Sequence, residues 1–581
     1  MMRRVALIVL LLAGGTVLFL LQRHKVSTPI TPRPLLYLVA DGEREAERLP
    51  LEVTQASDQE EMRAGARMST GVCRGQLQNR DADFAKIYTY VNQVGEAVAR
   101  NVNRQGIHYT FCIDDNPGFV NAYALPGGYV VIGRGLLSLL ESEDELAFIL
   151  GHEIAHVDDR HAIERVQYKL ASRKLGLESV YQLGAPIQML YEAGYTKEQE
   201  QEADRDGINL AYEAGYSAKG ALDAMTRFEK IDREMHSNAG SPVEEFASIP
   251  FQSLEEYFRS HPPAAERRQA LEQIIASHSW NANAAVRPYA LRPIFLAEQA
   301  AALDKQGKFA KSIARYKEAI DLDSANPRAL DGLALAEWRS GDAAAAEDTA
   351  IAAVHLVPTI ETLRILARAG AVANRENAVQ ALTVAESQES PANSLDQFAR
   401  LELAALATTR VSAGKSGIAD YQILLGETIG NPQWQATLRT EMAWWMYRTG
   451  NPTEAAEELE AAHQAYPSYG PAAMWKAWVD SDYGRQADAE NDLTLTINTG
   501  MDNSSEFVST QSAARAVISW RTDKKDLAKS QFQQAAAEDE VWMVHNWVAN
   551  NYSAATAAIL FQLQAAEAGR REEARKKREA R

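Results

Sequence analysis

Positive charge is in short supply in this chain. Lys and Arg number 60 against 78 Asp and Glu, a formal net charge of −18. A surface of that sign repels a polyanion, which argues against nucleic acid as a partner. Cysteine is scarcer still. Cys73 and Cys112 are the only two, so one intrachain disulfide at most can form. In an oxidising compartment their pairing would close a loop worth about 4 kcal/mol on the chain-entropy model; two unrelated thiols are the alternative. Histidine is also rare, with 11 residues, so an ordered pair of them carries information. Long hydrophobic runs are limited to one, Val5–Leu21. That argues against a bundle of membrane spans.

What is present begins with that run. It lies between Arg3-Arg4 and Gln22-Arg23-His24-Lys25. Its 17 residues are near the lower limit for crossing a bilayer and exceed the usual hydrophobic region of a cleaved signal. No small-x-small site follows Leu21. Residues 1–28 are therefore expected to form an uncleaved anchor with the short end inside, a cleaved signal being the alternative. Residues 29–74, proline-rich at first and then charged, read as a tether.

The most informative stretch is His152-Glu153-Ile154-Ala155-His156. On a helix, residues four apart share a face, so both imidazoles can hold one metal ion with Glu153 beside it. With so few histidines the pattern would arise by accident with a chance of about one or two in a hundred. Ser142 and Glu145 form a capping box, and Leu146, Phe148, Ile149, Ile154 and Val157 supply an apolar stripe, so the segment reads as a buried helix. A catalytic zinc takes three protein ligands and leaves a position for water. The extended three-histidine motif needs a glycine at position 159 and a histidine at 162, where the chain has Asp159 and Ala162; His161 is one place off. A close-following glutamate would fall where Leu175 and Gly176 stand. Further on, Thr196 and Gln199 form a second capping box, and Glu200 and Asp204 share one face of the helix that starts there.

His152-Glu-x-x-His156 paired with Glu200-Gln-Glu-Ala-Asp204 resembles the membrane-associated gluzincin peptidases, a family that includes HtpX, the CAAX-processing protease and the β-barrel assembly-enhancing protease. Three more pieces resemble it in the same order: Asn121-Ala-Tyr-Ala-Leu-Pro-Gly-Gly128, Arg160-His161, and Ser260-His261-Pro262-Pro263 with Arg267. The likeness covers about residues 75–285. It implies an α+β zincin-like domain at 75–288, mainly helical with a small sheet, and one zinc per chain held by His152, His156 and Glu200. Glu153 would act as the general base. Asp204 and Arg160 would orient a ligand imidazole or carboxylate.

Around these motifs the pattern is scaffold. Phe84, Ile87, Val91, Val94 and Val98 fall on one helix face, ahead of an alternating strand at about 107–113. Asp115-Asn-Pro-Gly118 turns into a second strand through Asn121 to Leu125, and Pro126-Gly127-Gly128 breaks it before Tyr129–Ile132. Proline and paired glycines suit an edge or bulged strand. We expect an exposed edge at Asn121, Ala122, Tyr123 and Ala124, able to receive an extended peptide through backbone hydrogen bonds; an ordinary hairpin is the alternative. A less regular stretch at 236–256 has the character of a lid.

From 293 the chain becomes alanine-rich helix with an internal repeat. Gly307 and Gly341, Ala319 and Ala353, and Leu322 and Leu356 are each 34 residues apart, the tetratricopeptide period. Later units match at Gly450 with Ala455, Ala462 and Pro467, and at Gly484 with Ala489; weaker copies centre on Gly414 with Ala419 and on Ala528 with Ala535. This implies an all-α solenoid at 289–555 whose concave face can bind a peptide or protein. The tryptophans concentrated there are expected mainly to pack between repeats. Residues 556–581 read as a basic helix or tail.

Together these readings imply a zinc-dependent endopeptidase in a bacterial periplasm, held at the inner membrane through residues 5–21. Its substrates would be unfolded, misassembled or stalled outer-membrane proteins, and the solenoid would recruit them or the assembly machinery. A chaperone or assembly adaptor with a latent protease is the rival reading. An intramembrane CAAX-type enzyme is disfavoured by the single apolar run. The resemblance also gives His261 a role, as a latch on the open metal position; an oxyanion donor and a helix-entry residue are the alternatives. One substitution separates them. His261→Ala should raise basal proteolysis if the residue is a latch, lower turnover with metal retained if it is an oxyanion donor, and change little if it is structural.

Overall fold

The first described helix starts at a cap that satisfies two backbone donors at once. Ser57 Oγ accepts from Glu60 N, and the Glu60 carboxylate accepts from Ser57 N, so helix Asp58–Met68 begins there. The computed structural model describes residues 56–79, 81–172, 195–237, 263–356, 360–373, 425–426, 430–448, 451–498 and 505–579. The apolar run 5–21, most of the 236–256 stretch, His261 and the unit around Gly414 lie outside them. Among the described residues no helix is long and apolar enough to cross a membrane.

The expected tether at 29–74 is corrected from Ala56 onward, because this segment is part of the folded N-terminal domain. Glu61 is fully buried, receives Arg104 Nη2 at 2.6 Å and accepts from Gly127 N at 3.2 Å. Helix Thr70–Cys73 follows, and Cys73 is bonded to Cys112 with Cα atoms 5.2 Å apart. Of the two options for the cysteines, the structure holds the pair.

The sheet has three strands, β1 (Thr110–Asp114), β2 (Ala122–Leu125) and β3 (Tyr129–Gly133), in the order β1-β3-β2. β1 runs parallel to β3 with Cys112 opposite Val131, and β2 runs antiparallel to β3 with Tyr123 opposite Val131. β2 is thus both an edge strand and one arm of a hairpin. Its edge is not exposed, contrary to expectation: Asn121, Ala122, Tyr123 and Ala124 are all buried. The reason is cover on both faces. Ala124 packs with Val157 and Ala162, while Tyr123 and Leu125 pack with Met68, Val72 and Cys73 from the N-terminal helices.

Helix Ala82–Ala99 buries the predicted stripe Phe84, Ile87, Val91, Val94 and Val98. It packs in one core with the helix that carries the histidine motif, Glu143–Asp158. Ser142 Oγ caps that motif helix by accepting from Glu145 N at 3.1 Å. The reciprocal half of the expected box is replaced, since Glu145 Oε2 accepts from Glu141 N instead.

The solenoid begins with helix Arg292–Lys305, whose Ile294 and Phe295 lie in the core of the N-terminal domain while Leu296, Ala297 and Ala300 lie in the first repeat. One helix is therefore shared by both domains. Ala319, Ala353, Ala455, Ala462, Ala489, Ala528 and Ala535 are fully buried, as close-packed repeat helices require, whereas Leu322 and Leu356 point to solvent. The last repeats fold back onto the first. Arg339 bridges Asp304 at 2.8 Å and Asp539 at 2.9 Å, and Phe309 shares an apolar cluster with Phe532 and Trp542. Trp478 and Trp542 are buried in that cluster, and Trp444 donates to Asn551 O at 3.3 Å. The final helix, Ala554–Glu579, contributes Leu560 and Leu563 to the same core, and three of its arginines are matched internally: Arg571 with Glu540 and Glu567, Arg570 with Glu567, Arg575 with Glu572.

The disulfide clips the N-terminal helices to the centre of the fold. Replacing both cysteines by serine should lower the unfolding free energy by about 4 kcal/mol. Denaturant unfolding with and without dithiothreitol measures it, and an unchanged midpoint on reduction would show that no bond forms.

Candidate metal centre

Two glycines decide how near the two functional helices come. An added Cβ at Gly151, in the motif helix, would lie 2.5 Å from Gly207 O; one at Gly207, in helix Lys197–Glu213, would lie 2.6 Å from His152 N. The helices therefore cross backbone to backbone. Because Gly207 lies one turn beyond Asp204 and two beyond Glu200, this crossing aims both carboxylates at the histidines. The Thr196–Gln199 capping box, complete in both directions, fixes where the second helix starts.

His152, His156 and Glu200 each offer a ligand atom, and these atoms lie within 4.8 Å of one another. The imidazole Nε2 atoms are 3.2 Å apart, and the Glu200 oxygens are 3.7 Å from His152 Nε2 and 3.8 Å from His156 Nε2. Zinc bonds of about 2.0–2.1 Å in a tetrahedron separate ligand atoms by about 3.3 Å, a separation the two imidazoles already have, with the carboxylate a few tenths of an ångström farther off. The polar inventory agrees. Glu200 Oε2 and Glu153 Oε2 are buried without a hydrogen-bond partner among the described residues, an arrangement that a cation satisfies. Burial pushes the Glu153 carboxyl up to about 7, against the pull of His152.

Asp204 Oδ1 lies 3.0 Å from His152 Nδ1, where it accepts the ring proton and leaves Nε2 for an ion. Arg267 grips the same carboxylate with two hydrogen bonds, Nε to Oδ2 at 2.9 Å and Nη2 to Oδ1 at 2.6 Å. Burial alone would raise the Asp204 carboxyl, but Arg267 and then His152 hold it well below the usual carboxylate range. Burial likewise opposes charge on His152, but the Asp204 hydrogen bond together with the negative charges of Asp204 and Glu200 outweighs it, so its pKa is raised.

Arg160 is not on a ligand. Its guanidinium donates to Ala56 O at 3.0 Å and Asp58 Oδ1 at 2.6 Å, which fastens the N-terminal helix to the end of the motif helix. Asn121 to Ala124 lie along β2 beside the motif helix, buried as described. Sequence reasoning quoted Arg267 without giving it a role and passed over Tyr195. The Tyr195 ring stacks on His156 at 3.6 Å between centroids and 12° between planes, and the Arg165 guanidinium carbon lies over the same ring, 4.5 Å from its centre. Burial pushes the Tyr195 hydroxyl up to about 12. No local pattern announces a stack of this kind.

A helix-borne histidine pair with a carboxylate from a second helix and an acidic residue beside it is the donor set of a metal-binding centre. Residues 86–275 match the model of Peptidase family M48 and residues 302–341 match a TPR repeat, so the chain carries an M48 peptidase domain followed by a repeat solenoid. Similar proteins include the mitochondrial metalloendopeptidase OMA1 of Bos taurus, 27% identical over 34% of this chain and 38% of that protein. The metalloprotease YcaL of Escherichia coli is 26% identical over 36% of this chain and 77% of its own length. The beta-barrel assembly-enhancing protease of Yersinia pestis is 31% identical over 22% and 29%. The matched region thus spans well under half the length of the first and last of these relatives.

Because the helix crossing sets ligand register, Gly207→Ala should separate the helices and cost about 1–3 kcal/mol of overpacking. Bound metal per chain should fall with it. Full stability together with full metal content in that variant would show that the crossing is not the constraint.

Proposed function

We propose that this chain is a zinc endopeptidase of the bacterial envelope, anchored through residues 5–21, that cleaves unfolded or misassembled outer-membrane proteins brought to it by the solenoid. The observation that carries the reading is the convergence of His152, His156 and Glu200 with the buried Glu153 beside them. The names of the beta-barrel assembly-enhancing relatives support the substrate class.

His152, His156 and Glu200 would hold the ion. When bound, zinc supplies an acidified water and polarises a scissile carbonyl. Glu153 does the proton work. A carboxyl held near neutrality by burial accepts a proton readily and gives it up again, so it can pass one from water to the leaving amine. Asp204 keeps the His152 ring oriented, and Arg267 keeps Asp204 ionised in a buried site. The shared helix Arg292–Lys305 gives the solenoid a fixed attachment to the peptidase core, so cargo held on the repeats stays at high local concentration near the centre.

Glu153→Gln should keep one zinc per chain by metal analysis and lower cleavage of an unfolded protein by at least about 100-fold. Cleavage at the parental rate would sink the mechanism. Proteins retained by the same variant in envelope extracts distinguish the protease from the adaptor: a peptidase accumulates uncut unfolded outer-membrane proteins, an adaptor the same assembled partners as the parent.

A further inference from the structure

The two ligand histidines are supported differently. His152 has a carboxylate behind it, as the Glu-x-x-x-Asp spacing implies. Behind His156 stands another histidine: His156 Nδ1 is 3.1 Å from His161 Nδ1, and His161 Nε2 is 3.2 Å from Glu202 Oε2. We propose that His161 and Glu202 are positioning residues that fix the tautomer and direction of the His156 ring, forming a buried-to-surface relay from the metal centre to the protein exterior.

The chemistry runs one way. His156 Nε2 faces His152 Nε2 and Glu200, so its lone pair must be kept there for an ion and the ring proton resides on Nδ1. That proton is donated to His161 Nδ1, which places the His161 proton on Nε2, pointing at Glu202 Oε2. Each hydrogen bond thereby dictates the next. His161 is buried, whereas the Glu202 side chain is about half exposed at 47%.

The backbone is bent to make this possible. Arg160, between the motif helix and helix His161–Ser172, has φ +66°, the left-handed region that a side chain of this size rarely adopts. Without that residue in this conformation the motif helix would continue, and His161 could not return to the ring five residues before it. Asp58 and Ala56 O hold the Arg160 guanidinium and so stabilise the turn. Tyr195 closes the opposite face of His156 by stacking. The ring is therefore fixed in its plane by the stack and about its axis by the hydrogen bond.

This inference rests on the reading of His152, His156 and Glu200 as the metal site. Its test is the zinc dissociation constant of the full chain by chelator competition, with melting of the metal-free proteins alongside. His161→Phe, which keeps the bulk and removes the acceptor, should weaken zinc by about 10- to 100-fold with the metal-free melting temperature preserved. His161→Gln should recover most of that loss, because its amide oxygen can accept from His156 Nδ1. Glu202→Ala, at a half-exposed position where folding is not at stake, should weaken zinc in the same direction by less. Parental affinity in both His161→Phe and Glu202→Ala would overturn the relay. So would a loss in His161→Phe that His161→Gln does not recover. A parent protein that binds no zinc would overturn the metal site itself, and the relay with it.

Discussion

The contact between Gly151 and Gly207 sets the geometry on which everything else at the centre depends. Two helices with ordinary side chains at their crossing keep their axes about 8–10 Å apart. Here the backbones touch, and the carboxylates of the second helix reach the imidazoles of the first. The caps at Ser142 and Thr196 then fix where each helix begins, so axial register follows from residues at the helix ends while lateral distance follows from the two glycines.

Burial gives this arrangement its chemical character. Glu153, Glu200 and Asp204 are buried together, opposed within the described structure chiefly by Arg267. Carboxylates at such depth stay ionised only when paired. Arg267 does this for Asp204, which sits behind the histidine pair, and the proposed ion would do it for Glu200. The same low-polarity surroundings that make the uncompensated carboxylates costly raise the basicity of Glu153, so one property of the environment serves both the binding of a cation and the handling of a proton.

Much of this was legible in the sequence because it is local. A four-residue spacing places His152 with His156 and Glu200 with Asp204, the caps at Ser142 and Thr196 mark where the two helices start, and the 34-residue spacing of Gly307 and Gly341 marks a repeat. What was not legible depends on pairs far apart in the chain. The parallel pairing of β1 with β3, the cover over β2 and the grip of Arg267 on Asp204 each join residues between which no periodicity runs. Reading residues 56–74 as a tether failed for a different reason: two of its charged residues, Asp58 and Glu61, find their partners Arg104 and Arg160 elsewhere in the chain, and a buried pair such as Glu61 with Arg104 looks like solvated surface until both halves are seen.

The return of the last repeats onto the first changes what kind of object the solenoid is. An open stack of repeats interacts only with nearest neighbours, needs polar caps at each end and can fray from either of them. Here Arg339 joins Asp304 to Asp539, and side chains of Glu540 and Asn546 lie against the turns at Gly307 and Gly341. Each end serves as the cap of the other. Loosening one terminal repeat therefore exposes the face of its distant counterpart, which gives the array a ring's cooperativity in place of a spring's graded compliance, and ties the ordering of the C-terminal helices to the helix that enters the peptidase core.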